Sequence, residues 1–130
     1  VPFEPPYPPA EVERLLGSGQ LSRLQTYALQ HQHPLNLATH VVGVPLILLS
    51  AIWLPLAWAL WGRIDWLPWL ICQVVGWILQ GIGHRAEGNR PAFFKDPLQL
   101  FVGPYFFLLK FRQLLTGAPA VVLPAPKQPS

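Results

Sequence analysis

Charged side chains are what this sequence has least of. Only 12% of its 130 residues are Asp, Glu, Lys or Arg, while 52% are hydrophobic, against about 25% charged in ordinary soluble domains. So few charges cannot cover that much apolar material in water, and the composition points to a bilayer as solvent. Cysteine is nearly missing as well. The single Cys72 excludes a disulfide within the chain and a thiolate zinc cluster, and inside an apolar run it reads as a small packing residue. The net charge of +3 is scattered beside the apolar runs rather than gathered into a patch, which argues against nucleic acid as a partner. No phosphate-binding loop, G-x-S-x-G elbow or dinucleotide fingerprint is present, so nucleotide and serine-hydrolase chemistry find no support. There is no internal repeat, and the first residues lack the basic-then-apolar pattern of a secretory signal peptide.

What is present is long apolar stretches. Val41 to Trp61 and Trp66 to Gly83 carry no formal charge, each close to the roughly 20 residues a helix needs to cross about 30 Å of hydrocarbon. Arg63 and Asp65 form a short polar turn between them. Trp53, Trp58, Trp61, Trp66 and Trp69 crowd around it as an interfacial belt does. Before the first run, residues 10–16 predict a short helix broken by Gly17-Ser18-Gly19. Ser22 then reads as the N-cap of a helix reaching about His31, lying on the membrane surface or packed on the spans. Pro34 suits the first turn of the next helix, and Pro45 and Pro55 are expected to kink it or divide it into a helical hairpin. Residues 97–115, interrupted at Gly103-Pro104 and ended by Lys110 and Arg112, either span with Lys110 snorkelling or re-enter.

Proline-rich tails, 1–9 and 118–130, flank a single membrane-embedded domain, 10–117. The predicted fold is all-α: an integral membrane helical bundle of three to four membrane-embedded helices plus a short N-terminal interfacial helix. Arg14, Arg23, Arg85, Arg90 and Lys95 fall on one side of the two runs and Arg63 on the other, which places the N-terminal region and residues 84–96 in the cytoplasm.

All four histidines flank these runs: His31, His33 and His40 before the first, His84 after the second. An antiparallel helix pair brings those ends together. Asn36 and His40 share one helix face at a spacing of four, and His84 and Glu87 share another at a spacing of three. Imidazoles with one carboxylate suit a metal with open positions, as in non-haem Fe(II) oxygenases. The plain alternative is that each histidine hydrogen-bonds a helix end. A third possibility is a haem clamped between His40 and His84.

The elements Tyr27-x3-His31, Asn36-x3-His40-x2-Gly43-x-Pro45, Gln80-Gly81-Ile82-Gly83-His84 with Glu87, Asn89-Arg90-Pro91-Ala92 and Gly103-Pro104 together resemble the small membrane 2-hydroxy fatty acid dioxygenase family, over residues 27–115. The resemblance implies an Fe(II)-dependent alpha-oxidation: a 2-hydroxy fatty acid loses its carboxyl carbon as CO2 and becomes the acid one carbon shorter. It implies His31, His40 and His84 as catalytic metal ligands, with Glu87 as a further candidate standing one residue nearer the histidine than the family pattern places its glutamate. His33 matches no family histidine. Asn36, Arg85 and Arg90 are candidate substrate residues, since a guanidinium matches a carboxylate bidentately. The expected partners are the 2-hydroxy fatty acid, O2 and membrane lipid, with no obligatory reductase. A bacterial inner membrane is the favoured location, or the endoplasmic reticulum in a eukaryote. The rival reading is a non-enzymatic lipid-binding or assembly protein with structural histidines.

Overall fold

The computed structural model describes residues 3–90 and 94–126. Every regular element is helical: α1 Pro9–Gly17, α2 Arg23–Leu29, α3 Pro34–Trp61, α4 Trp66–Glu87 and α5 Gln99–Thr116. The chain separates into two units, one of residues 1–33 with 89–130 and one of residues 34–88.

The 34–88 unit is a hairpin of α3 and α4. Gly62, at φ 65°, ends α3, and its N–H donates to the Trp58 carbonyl at 2.8 Å. Across the turn the Trp53 indole donates to the Asp65 carbonyl at 3.2 Å. Trp58, Trp61 and Trp66 stand exposed around this end. The prolines do not divide α3 into a hairpin: it runs unbroken through Pro45 and Pro55. Each proline removes one backbone donor, but its fixed φ is helical and the flanking apolar residues continue the helix.

Small and polar side chains fill the seam between the two helices. The buried positions are Asn36, Thr39, His40, Gly43, Ser50 and Ala57 on α3 and Gly76, Gln80, Gly83 and His84 on α4. Val42, Leu49, Ile52, Ile71 and Ile78 all face outward. A Cβ on Gly43 would lie 3.0 Å from the Gly76 carbonyl, and one on Gly76 3.1 Å from the Gly43 carbonyl. Backbone therefore meets backbone, the close approach that small residues permit between apolar helices. Gln73 bridges the seam, donating to the Ile47 carbonyl at 2.9 Å and the Ser50 hydroxyl at 3.0 Å. Gln73→Leu is expected to lower resistance to unfolding in a denaturing-detergent titration by about 1 kcal/mol; an unchanged midpoint would show that the bridge contributes nothing.

Helices α3 and α4 are long and apolar enough to cross a membrane, and only 17% of the apolar window of each is buried. Helix α5 does not meet the same measure, its apolar pattern being broken by Lys110 and Arg112. The expectation of three to four membrane-embedded helices thus narrows to two candidate spans.

In the other unit, α2 opens at Ser22, the N-cap that the sequence predicts, which the structure completes as a reciprocal capping box with Gln25, and ends at Leu29, two residues short of His31. Tyr7, Leu15 and Leu29 form a small core, with Val12, Leu21 and Leu123 packed against it. The proline-rich C-terminal segment is tied down rather than loose: the Tyr7 hydroxyl donates to the Pro124 carbonyl, and Gln25 Nε2 donates to the Val122 carbonyl at 3.0 Å. Helix α5 continues through Pro104. It packs on α2 through Phe106 against Tyr27, ring centroids 5.1 Å apart, and through Gln99 Nε2, which donates to the Arg23 carbonyl at 3.1 Å.

Candidate metal centre

His40 and His84 sit in the seam of the α3–α4 hairpin, 2% and 4% exposed. Their rings meet edge to face, centroids 4.9 Å apart at 81°. That spacing leaves no room for a planar macrocycle between them, which removes the haem clamp. The His40 Nδ1 lies 2.8 Å from the Asn36 carbonyl. A carbonyl only accepts, so Nδ1 carries the proton and the lone pair resides on Nε2. The Asn36 side chain reaches the other helix, Nδ2 donating to Glu87 Oε2 at 3.3 Å. Gly83 brings α4 against this residue: a Cβ there would lie 2.3 Å from Thr39 Oγ1 and 2.5 Å from Asn36 Oδ1.

His31 is set in the same way in its own unit. Its Nδ1 lies 2.7 Å from the Tyr27 carbonyl, one helical turn earlier, so its Nε2 also bears the lone pair. The Tyr27 ring stacks on the imidazole, centroids 3.8 Å apart at 11°. Gly103 leaves space for the tyrosine, since a Cβ there would lie 3.0 Å from the Tyr27 hydroxyl. Burial pushes the Tyr27 phenol well above its ordinary pKa, so it stays neutral at physiological pH.

One ligand nitrogen from each of His31, His40 and His84 lies within 4.8 Å of the others, and all three residues are buried. This group could hold a metal ion. Two of its imidazoles are held by a backbone carbonyl on Nδ1, the outer hydrogen bond that fixes tautomer and ring orientation in metal-binding histidines.

The remaining sequence candidates fall elsewhere. Glu87 does not belong to the group and is engaged with Asn36. Asn36 itself is fully buried. His33 packs edge-on against Phe3, centroids 5.1 Å apart, and is absent from the group. Arg85 and Arg90 are exposed at the end of α4 and just beyond it. Asn89 Nδ2 donates to the Gln30 carbonyl at 2.9 Å, while Pro91 and Ala92 lie outside the described residues. Sequence reasoning missed the part of Tyr27, although its spacing of four from His31 is the signal for stacking on one helix face. It also missed Thr39, which looks like an ordinary span residue until the seam is seen.

No curated protein and no solved structure matches the chain. One protein family does, described as 2-hydroxy-palmitic acid dioxygenase Mpo1-like, over residues 21–115. The matched segment carries α2 to α5 and all three histidines of the buried group. A match over that much of the sequence places the chain in the Mpo1-like family of 2-hydroxy-palmitic acid dioxygenases.

Proposed function

We propose that this chain is an integral membrane dioxygenase that holds Fe(II) with His31, His40 and His84 and converts a 2-hydroxy fatty acid to CO2 and the acid one carbon shorter. The observation that carries this reading is the buried group of three histidines, two of them held through Nδ1 with the lone pair on Nε2. Three neutral nitrogen donors without a thiolate suit iron and leave coordination positions for other ligands.

The overall reaction balances without help. A 2-hydroxy acid and O2 give the shorter acid, CO2 and water, the acid losing the four electrons that O2 takes up. Neither a reductase nor 2-oxoglutarate is needed. Bound Fe(II) would supply the redox chemistry that couples O2 to the acid. The protein's own part is to hold the imidazoles rigid in a site closed to bulk water. Tyr27 keeps His31 in place by ring stacking and through its carbonyl. Asn36 does the same for His40, and Glu87 holds Asn36 by accepting from its amide, so both act here as positioning residues. Exposed Arg85 and Arg90 offer guanidinium partners for a substrate carboxylate.

The membrane reading rests on the inverted packing of α3 and α4. The core helix of a soluble protein is mostly buried, whereas these bury small and polar residues against each other and turn Val, Leu and Ile outward. An acyl substrate dissolved in the same bilayer then needs no aqueous carrier. A bacterial inner membrane, or the endoplasmic reticulum in a eukaryote, meets that requirement.

Detergent-purified protein loaded with Fe(II), given carboxyl-labelled 2-hydroxypalmitate and no reductant, is expected to release one labelled CO2 per O2 consumed and to form the fifteen-carbon acid in equal amount. Oxygen uptake that requires added reductant, or label retained in the acid product, would refute the reading.

A further inference from the structure

Gln80 carries a stranded amide beside the histidines of the α3–α4 seam. It stands one turn before His84 on α4, so the two side chains leave the same helix face, and it is 6% exposed. Its Nε2 is buried and has no hydrogen-bond partner, a costly state that the other end of the amide has to offset. Gly43 makes room for this placement. A Cβ there would lie 3.0 Å from Gln80 Nε2 and 3.0 Å from the Gly76 carbonyl oxygen. The amide therefore crosses Gly43 with its nitrogen on the side of a backbone carbonyl, and turned over it would set oxygen toward oxygen.

The Gln80 side chain is also within hydrogen-bonding reach of the His40 ring. Because its Nε2 has no partner, the atom that meets the ring is Oε1. The ring's Nδ1 proton goes to the Asn36 carbonyl at 2.8 Å, which leaves the acceptor Nε2 for Gln80. Two acceptors then face each other with no proton to share. A cation between them resolves the conflict: atoms a hydrogen bond's length apart, about 3 Å, can both reach one metal ion at roughly 2.1 Å.

We infer that Gln80 is a fourth ligand of the metal held by His31, His40 and His84, binding it through the amide oxygen. The inference rests on the metal centre of the proposed function and adds a neutral oxygen donor to it. Glu87, the carboxylate that spacing suggested, is occupied with Asn36 instead. With four neutral ligands an octahedral ion keeps two positions for incoming groups, and no protein anion offsets its double charge, which favours a carboxylate as one of them.

The full chain in detergent is loaded anaerobically with Fe(II) and, separately, with Co(II), and compared with the metal-free protein. With glutamine labelled by carbon-13, the infrared difference spectrum is expected to show one glutamine carbonyl band moving to lower frequency, since a cation on the oxygen weakens the C=O bond. Gln80→Glu is expected to remove that band and to bind Co(II) at least as tightly as the parent. Gln80→Leu, which keeps the bulk and removes both amide atoms, is expected to bind Co(II) about 10- to 100-fold more weakly. The glutamate variant is nearly isosteric, so the test stands even where the leucine variant does not fold. An amide that donates to His40 would block that nitrogen, so tighter binding by Gln80→Leu, or a carbonyl band that stays in place, overturns the inference. Parental affinity in Gln80→Leu overturns it too. His84→Ala, measured alongside, separates the two claims. Metal that depends on His84 and ignores Gln80 sinks this inference alone, whereas a parent that takes up no metal sinks the proposed centre and the inference together.

Discussion

Gly83→Ala is expected to strip the protein of metal while Gly81→Ala, two residues away on the same helix, leaves it loaded. A methyl on Gly83 would lie 2.3 Å from Thr39 Oγ1, 2.5 Å from Asn36 Oδ1 and 3.1 Å from the Asn36 Cα. The first two atoms belong to buried side chains with partners of their own: Thr39 donates to the Asn36 carbonyl at 3.0 Å, and Asn36 donates to Glu87. The third is backbone, so the helices must separate. His84 follows Gly83 directly and moves with α4, and Asn36 is the residue that orients His40. Overpacking of this kind costs about 1–3 kcal/mol of stability, and disturbing an outer-shell contact lowers metal affinity about 10- to 100-fold. At Gly81 an added methyl meets nothing within 4 Å, and alanine is the better helix former by about 1 kcal/mol. Metal content and the denaturing-detergent midpoint of the two variants check this. Equal behaviour of the pair would mean that the close crossing at Gly83 does not hold the centre.

His40→Ala and His84→Ala are each expected to reduce turnover of 2-hydroxypalmitate at least about 100-fold, a loss at the upper end of what outer-shell changes produce. His33→Ala is expected to stay within about twofold of the parent, a change well under 1 kcal/mol. His33 lies near the others in sequence but packs on Phe3 and stands outside the buried group. Initial rates of labelled CO2 release decide the matter. A His33 variant as impaired as the His40 variant would move the centre away from the assigned group.

The two candidate spans and the turn between them were legible because charge-free runs of that length seldom form anything but a long apolar helix, and the family match bears out the resemblance carried by the histidine motifs. The Ser22 cap was readable from its residue type and its place after the Gly17-Ser18-Gly19 break, while its reciprocal bond with Gln25 came only with the structure. The unbroken course of α3 was not, since Pro45 and Pro55 argue locally for breaks that the surrounding apolar residues override. Glycines at 81 and 83 each suit a close helix approach, and the sequence does not say which of them makes it. The answer depends on helix rotation, which puts Gly83 in the seam and Gly81 in open space. Glu87 was grouped with His84 by its spacing of three, yet the same spacing lets it reach across to Asn36. Spacing specifies a shared face and not the partner found there. Gln99 gave no sign in sequence, because its burial and its bond to the Arg23 carbonyl are consequences of how α2 and α5 pack.

The most direct test is the metal content of protein purified anaerobically in detergent and incubated with Fe(II), measured by elemental mass spectrometry alongside His40→Ala and His84→Ala. The account predicts close to one iron per chain in the parent and little in either variant. A parent that stays metal-free after exposure to Fe(II), or variants that retain as much iron as the parent, would contradict it and leave the three histidines as hydrogen-bonding residues of the helix ends.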